Sequence, residues 1–334
     1  MIDPTLPLID LHRHLDGNVR LQTILELADA HGIDLPARTV EALRPFVVIE
    51  DRASDLMDFI GRFHYLTVVL VDYDACRRVA YENMLDARDE GLDYLELRFS
   101  PWFMAEAHGL DASGVTEAVL DGIEAGKRET DIPAGAIGIL SRTYGEDVCM
   151  KELEALLAHQ DRLVAVDLAG DEVNFPAARF RPHFDRVREA GLKVTIHAGE
   201  ADGPASIRSA IEDLGADRIG HGVRCVEDPA LMALLAERRI GLEVSLTSNV
   251  HTQTTVDFAS HPLRQILDAG IVASLNTDDP AISGIDLRHE YAVAAPAAGL
   301  DETMTRQTQA NALAMAFLDA GQRASLAAGR SRAG

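Results

Sequence analysis

The run Leu8-Ile9-Asp10-Leu11-His12-Arg13-His14-Leu15-Asp16-Gly17 sets two imidazoles one residue apart in an apolar, extended segment. Side chains alternate faces along a strand, so both rings point the same way, about 6.6 Å apart at roughly 3.3 Å per residue. That spacing suits one metal ion. Two ligands do not make a site, because zinc takes about four, and His-x-His pairs also arise by chance or on a solvated edge. The remaining donors have to come from elsewhere in the chain.

Three further polar clusters each close an apolar run. His197 and Glu200 follow Val194-Thr195-Ile196, Gly220-His221-Gly222 closes a second run, and Asn276-Thr277-Asp278-Asp279-Pro280 closes a third. His12, His14, His197 and Asp278 together supply three imidazoles and one carboxylate, a set suited to zinc and acceptable to related divalent ions. Such an ion lowers the pKa of a bound water to about 7 and so provides a nucleophile at neutral pH. Glu200, three residues past His197, can face a substrate without being forced onto the metal, and a carboxyl in a buried pocket can stay protonated as a general acid. His221 can take or orient a proton of the water. Each cluster also has a plainer reading: a core histidine in a tight turn for His221, an acidic helix start for Glu200-Ala201-Asp202, and a simple turn for Asp278-Asp279-Pro280. Several separated positions would have to imitate one mononuclear site by accident.

The elements that must position these residues follow from alternating patterns. Eight short apolar runs read as strands: Pro7 to His12, Leu92 to Phe99, Ala136 to Ser141, Val164 to Ala169, Val194 to His197, Arg218 to Val223, Leu242 to Thr247 and Val272 to Asn276. Helical stretches lie between them, with Gly215 and Gly241 as C-terminal signals. The pattern predicts an α/β fold, a (β/α)8 TIM barrel forming one domain over 1–334. The polar clusters sit at C-terminal strand ends, the end that carries the active site in such barrels. The connection 19–91 is too long for a βα loop and reads as a helical insertion. Within it Leu56, Phe59, Ile60 and Phe63 share one apolar face, either ordinary packing or a lid over a flat ligand. The segment 319–334, rich in Ala, Gly and Arg, reads as a frayed tail.

Composition narrows the partners. The 334 residues include 54 acidic and 31 basic side chains, a formal charge of -23 that repels phosphate backbones and anionic lipid surfaces. Neither nucleic acid nor membrane is an expected partner. Cys76, Cys149 and Cys225 are too few and too scattered for a disulfide framework or a Cys-x-x-Cys site. No signal sequence and no membrane span is evident, so the chain reads as cytoplasmic; its oligomeric state is left open.

In this order, His12-Arg13-His14-Leu15-Asp16-Gly17, His197-Ala198-Gly199-Glu200, Gly220-His221-Gly222 and Asn276-Thr277-Asp278-Asp279-Pro280 resemble the motifs of the adenosine deaminases, in the metal-dependent amidohydrolase superfamily. The likeness extends from about Pro7 to Leu318 and is strongest to bacterial members. It implies one zinc ion per subunit on His12, His14, His197 and Asp278, with Glu200 donating a proton to purine N1 and His221 assisting the water. It also implies that Asp279 meets purine N7, that His14 and Asp16 lie near the ribose, and that the Gly170 backbone meets purine N3. The helix carrying Leu56, Phe59 and Phe63 resembles the family's apolar subsite. The implied reaction is hydrolytic deamination of adenosine and 2'-deoxyadenosine, a purine salvage step.

Rival chemistries lack their residues. A binuclear amidohydrolase site needs a bridging carboxylated lysine, but the chain has only Lys127, Lys151 and Lys193, the last about 13 Å below His197 on its strand. The His-x-Glu and Pro-Cys-x-x-Cys signature of another zinc deaminase class is absent. A related substrate, such as adenine or a sugar-modified nucleoside like aminodeoxyfutalosine, is the nearest alternative. A non-catalytic purine- or metal-binding barrel is the alternative of another class, although pure binding needs neither Glu200 nor His221.

Overall fold

The eight apolar runs become eight parallel strands, each hydrogen-bonded to the next in chain order. The computed structural model describes residues 2–50, 52 and 56–330; the side chains of 56–60 and 330 fall outside that description. The strands are β1 Ile9–His14, β2 Tyr94–Phe99, β3 Ala134–Ser141, β4 Ala165–Ala169, β5 Lys193–Ala198, β6 Arg218–His221, β7 Gly241–Val244 and β8 Ala273–Leu275. Helices cover the outside and side chains fill the inside, so the strands are buried on both faces and rich in Val, Ile and Leu. The circle closes where the backbone N–H of His14 donates to the Asp278 carbonyl at 2.8 Å and that of Asp278 to the His12 carbonyl at 2.8 Å. Closure therefore joins two segments that carry candidate metal ligands. A register break between Asp10 and Arg13 on the β1–β2 ladder lies beside them.

One expected strand is cut short. The run Leu242 to Thr247 ends as strand at Val244, and a helix Leu246–His251 begins. The cause is Glu290, whose buried carboxylate accepts the N–H groups of Leu246 at 2.9 Å and Thr247 at 3.1 Å. These donors would otherwise have sought a neighbouring strand.

Between β1 and β2 the described residues form four helices, α1 Leu21–His31, α2 Val40–Val47, α3 Leu56–Thr67 and α4 Tyr73–Glu90. The expected apolar face of α3 falls mostly outside the described side chains, which do not include those of Leu56, Phe59 and Ile60. Phe63 is described, and its ring stands 5.9 Å from that of Phe103. The long α4 starts at Asp72, whose side chain accepts the Ala75 N–H, and stops at Gly91 in a left-handed conformation.

The C-terminal segment departs from the frayed tail expected for 319–334. Ala320–Arg330 is a helix, and 331–334 lie outside the described residues. Arg323 accounts for the difference, because its guanidinium donates to the carbonyls of Leu313, Ala314, Ala316 and Leu318. Those groups at the end of the preceding helix Glu302–Met315 would otherwise be open. Leu318 and Leu326 pack on a small cluster with Ile9, Leu11 and Tyr94 at the bottom of the barrel.

Candidate active site

Five side chains from four places in the chain meet at the C-terminal mouth. His12 and His14 project from β1, His197 from the end of β5, His221 from the last residue of β6, and Asp278 follows β8. His12, His197, His221 and Asp278 each offer one donor atom within 4.8 Å of the others. His14 lies alongside, its Nε2 3.2 Å from His197 Nε2 and 3.3 Å from Asp278 Oδ1. The four ligands read from the sequence and the neighbouring His221 therefore occupy one place.

The backbone is strained where it delivers two of these groups. His221 has φ 61° and Asp278 φ 66°, the left-handed region that side chains with a Cβ seldom enter. Gly220 leaves room for His12: a Cβ there would lie 3.1 Å from His12 Cε1. The two glycines flanking His221 thus serve close approach on one side and a turn on the other, with Gly222 at φ 67°.

The donor set fits a cation. His12 Nδ1 lies 2.9 Å from Glu243 Oε2, and His197 Nδ1 lies 3.1 Å from Asp167 Oδ1. A carboxylate only accepts, so each Nδ1 carries the hydrogen and each Nε2 presents a lone pair. His12 Nε2 is buried with no hydrogen-bond partner and stands 3.1 Å from Asp278 Oδ1. Lone pair facing carboxylate is repulsive unless a positive ion lies between, and the carboxylate behind each histidine is the usual support of a metal ligand. Burial also holds the His197 imidazole down to about 4, against the pull of Asp167, which keeps it neutral and able to ligate.

Asp167 and Glu243 are themselves held inside the barrel. Arg98 donates to Asp167 Oδ2 at 2.7 Å and to Glu243 Oε2 at 2.6 Å. Arg218 donates to Glu243 Oε1 at 2.6 Å and to Glu96 Oε2 at 2.5 Å. Every member is buried, so removing one would strand a charge, at a cost of about 3–5 kcal/mol.

A relay of hydrogen bonds sets the state of His221. The Leu263 N–H donates to His261 Nδ1 at 3.1 Å, so His261 carries its hydrogen on Nε2 and donates to Asn249 Oδ1 at 3.1 Å. That contact turns the Asn249 amide nitrogen toward His221 Nδ1, 3.0 Å away. The His221 hydrogen is consequently on Nε2, which faces Glu200 Oε2 at 3.5 Å and Asp278 Oδ2 at 3.7 Å. Burial pushes the imidazole well below its ordinary pKa, so it is neutral.

Two carboxyls at the mouth are tuned the other way. Burial, reinforced by the negative charges of Asp278, Glu172 and Asp279, raises Glu200 well above the ordinary value. A divalent cation bound at Asp278 would more than cancel that contribution, leaving burial, Glu172 and Asp279 as the causes that raise it. Burial and Asp278 likewise raise Asp279, whose Oδ1 is buried without a partner. Gly17 makes room for it, since a Cβ there would fall 1.7 Å from Asp279 Oδ1. Asp16 accepts the Ser100 N–H through Oδ2 at 3.2 Å and keeps a buried Oδ1 without a hydrogen-bond partner. Gly170 ends β4 with φ 108°, turning the chain across the mouth.

A family model described as adenosine deaminase matches residues 7–330. The chain belongs to the adenosine deaminase family. The adenosine deaminase of Klebsiella pneumoniae subsp. pneumoniae is 56% identical to it over 326 residues, covering 98% of each chain. That of Yersinia pseudotuberculosis is 57% identical over 318 residues, covering 95% of each. Among solved structures, an adenine deaminase from Arthrobacter aurescens superposes with a TM-score of 0.90 at 25% identity, covering 98% of both chains.

In this adenosine deaminase family member, sequence reasoning missed the residues standing behind the site: Asp167, Glu243, Arg98, Glu172, Asn249 and His261. A signal was present for the first three. Asp167, Glu243 and Arg98 are single charges inside short apolar runs, and a strand buried on both faces can keep a charge only by pairing it. Asn249 and His261 carried no such signal, because the loop that joins them is irregular.

Proposed function

We propose that the chain catalyses the hydrolytic deamination of adenosine and 2'-deoxyadenosine to inosine and deoxyinosine, with release of ammonia, as a step of purine salvage. Zinc, one per subunit, would be held by His12, His14, His197 and Asp278. When bound there it supplies a water acidified toward neutral pKa and a positive charge beside the reacting carbon.

The chain's own groups do the rest. Glu200, kept protonated by burial, gives its proton to purine N1, which makes C6 electrophilic. The water oxygen bonds to C6, the C6–N6 bond breaks, one water proton leaves with the amino group as ammonia, and the other returns to the Glu200 carboxylate, leaving C6=O and N1–H. His221 offers its Nε2–H to the oxygen that bonds to C6, so in this state it orients and stabilises rather than accepts a proton. Protonated Asp279 donates to N7, an acceptor that an ionised carboxylate would repel. The Gly170 backbone meets N3, and Asp16 with His14 receives the ribose hydroxyls.

The observation that carries this reading is the pairing of a cation-ready cluster with two buried carboxyls beside it that burial pushes toward their acid forms, in a chain 56% identical to an adenosine deaminase. Adenine is the weaker substrate reading, because Asp16, whose Oδ1 faces His14 Nδ1 at 3.6 Å, has no part in recognising the base and suits a sugar hydroxyl. A cytoplasmic setting accords with three free, buried cysteines; among the described residues no helix is long and apolar enough to cross a membrane. The chain's charge of -23 disfavours nucleic acid as a partner.

The test is an absorbance assay of the zinc-loaded protein on adenosine, 2'-deoxyadenosine, adenine and AMP in parallel. Turnover of both nucleosides, with adenine and AMP at least about 100-fold poorer in kcat/KM, a gap of some 2.7 kcal/mol, is expected. No turnover of either nucleoside would overturn the proposal.

A further inference from the structure

We infer that Glu172 is the positioning residue of the proton donor: its carboxylate clamps the turn that carries Glu200 and ties that turn to the loop after β4. The inference rests on the proposed role of Glu200.

Four consecutive backbone N–H groups converge on this one carboxylate. Gly199 donates to Oε1 at 2.6 Å, and Glu200, Ala201 and Asp202 donate to Oε2 at 3.2, 2.9 and 3.0 Å. Glu172 is buried, and hydrogen bonds to an ionised acceptor are roughly twice as strong as neutral ones. Successive N–H groups of this kind form an anion-binding concavity, and here the anion is part of the protein.

The turn needs an external hold. It departs from β5 through Gly199 at φ 71°, where a Cβ would lie 2.4 Å from Ile207 Cδ1. Beyond it the helix Pro204–Glu212 has no side-chain cap, and its N-cap residue is Gly203. Within the turn Asp202 Oδ1 accepts the Gly203 N–H at 2.7 Å, and Glu172 supplies the acceptor for the four N–H groups before it.

The holding side is itself fixed. Gly170 at φ 108° turns the chain out of β4, and the Asp171 N–H donates to Thr143 Oγ1 at 3.0 Å. Below, the Arg142 guanidinium donates to the Leu168 carbonyl at 2.8 Å and the His197 carbonyl at 2.7 Å, stitching β4 to β5. Glu172 therefore transmits the position of a rigid strand end to a turn. Gly170, proposed to meet N3, and Glu200, proposed to meet N1, are thereby set at a defined spacing along one edge of the purine.

The clamp makes a specific demand on its residue type. Glutamine offers one acceptor oxygen and an amide nitrogen, so in either orientation at least one N–H of the turn faces another donor. The acid would be displaced, and a misplacement of about 1 Å costs on the order of 100-fold in rate.

Glu172→Gln and Glu172→Asp are compared with the wild-type holoenzyme, alone and in a Glu200→Gln background. The expected result is a fall in kcat on adenosine of about 10- to 100-fold, with KM and zinc content within about twofold of wild type and faster amide hydrogen exchange confined to 199–202. In the Glu200→Gln background the same substitution should cost less than about twofold, because residues acting through one group are not additive. An equal loss in both backgrounds would overturn the inference, as would unchanged exchange at 199–202. Loss of zinc or of cooperative unfolding in both variants would assign Glu172 to folding and overturn it too. Failure of the function proposal is seen separately, as absence of turnover by the wild type.

Discussion

The Asn249 amide nitrogen lies 3.0 Å from Nδ1 of His221, and this hydrogen bond places the imidazole hydrogen on the nitrogen that faces Glu200 and Asp278. Asn249→Asp reverses the demand, because a carboxylate at that position accepts and pulls the hydrogen to Nδ1. The expected outcome is a fall in kcat of about 10- to 1000-fold, comparable with loss of one preorganised donor, with KM for adenosine little changed. Steady-state kinetics beside a zinc assay check it; a kcat within twofold of wild type would show that the relay is idle.

Glu200 is expected to act in its protonated form. Glu200→Gln should keep zinc and adenosine binding but lose about 100- to 10,000-fold in kcat, the usual contribution of general acid catalysis. Its acid form is populated below its raised pKa and lost as pH rises through it. The basic limb of the wild-type kcat profile should therefore be missing from the variant. A variant that retains that limb would assign it to another group.

Asp167 is expected to act as a support rather than a ligand, and Asp167→Asn tests that distinction. Its Oδ1 stands 3.1 Å from His197 Nδ1, and its Oδ2 receives Arg98 at 2.7 Å. Loss of a carboxylate behind a metal-bound histidine costs about 10- to 100-fold in metal affinity. Competition titration with a zinc chelator measures it directly, and an unchanged affinity would mean that His197 needs no such support.

These residues also show what the sequence could and could not disclose. His12 and His14 were legible because a strand forces alternate side chains to one face, and the barrel was legible because eight buried runs alternate with helices. His197 and Asp278 followed from the rule that such barrels react at C-terminal strand ends. Asn249 and His261 were not legible, since their use depends on a 12-residue separation folding back on itself. Glu172 carries no signal of its own in the sequence after Gly170-Asp171, and only the turn at φ 108° carries it inward. The strand end at Val244 was misjudged for a related reason: Glu290, 44 residues past Leu246, replaces the ladder partner there.

Asp16 is expected to set the preference for a sugar. Its Oδ2 is occupied by the Ser100 N–H, while its buried Oδ1 stands 3.6 Å from His14 Nδ1 with no closer partner, an arrangement that leaves it able to accept from a hydroxyl donor. Asp16→Ala should raise KM for adenosine about 10-fold or more, since an unmet hydrogen bond to a charged group is worth about 1.5–3 kcal/mol. Slow turnover of adenine, where measurable, should not change. Equal losses on nucleoside and free base would place Asp16 in the chemical step instead.

Glu152 gives the fold a pH dependence of calculable sign. It accepts Ser100 Oγ–H at 2.6 Å, Trp102 N–H at 3.1 Å and Ser141 N–H at 2.7 Å, yet burial outweighs these bonds and pushes it up to about 7. A carboxyl raised in the folded state binds its proton more tightly there than in the unfolded chain. The stability it contributes is complete below about 4.5, the unfolded value, and is lost as pH rises through about 7. Glu290, also raised by burial to about 7, acts in the same direction. Urea unfolding of the wild type between pH 5.5 and 8 should show a declining midpoint, with on the order of 1–3 kcal/mol lost per carboxyl. Glu152→Gln should flatten that slope, and the double variant with Glu290→Gln should flatten it further. A slope identical to wild type in the double variant would show that both carboxyls are ionised throughout.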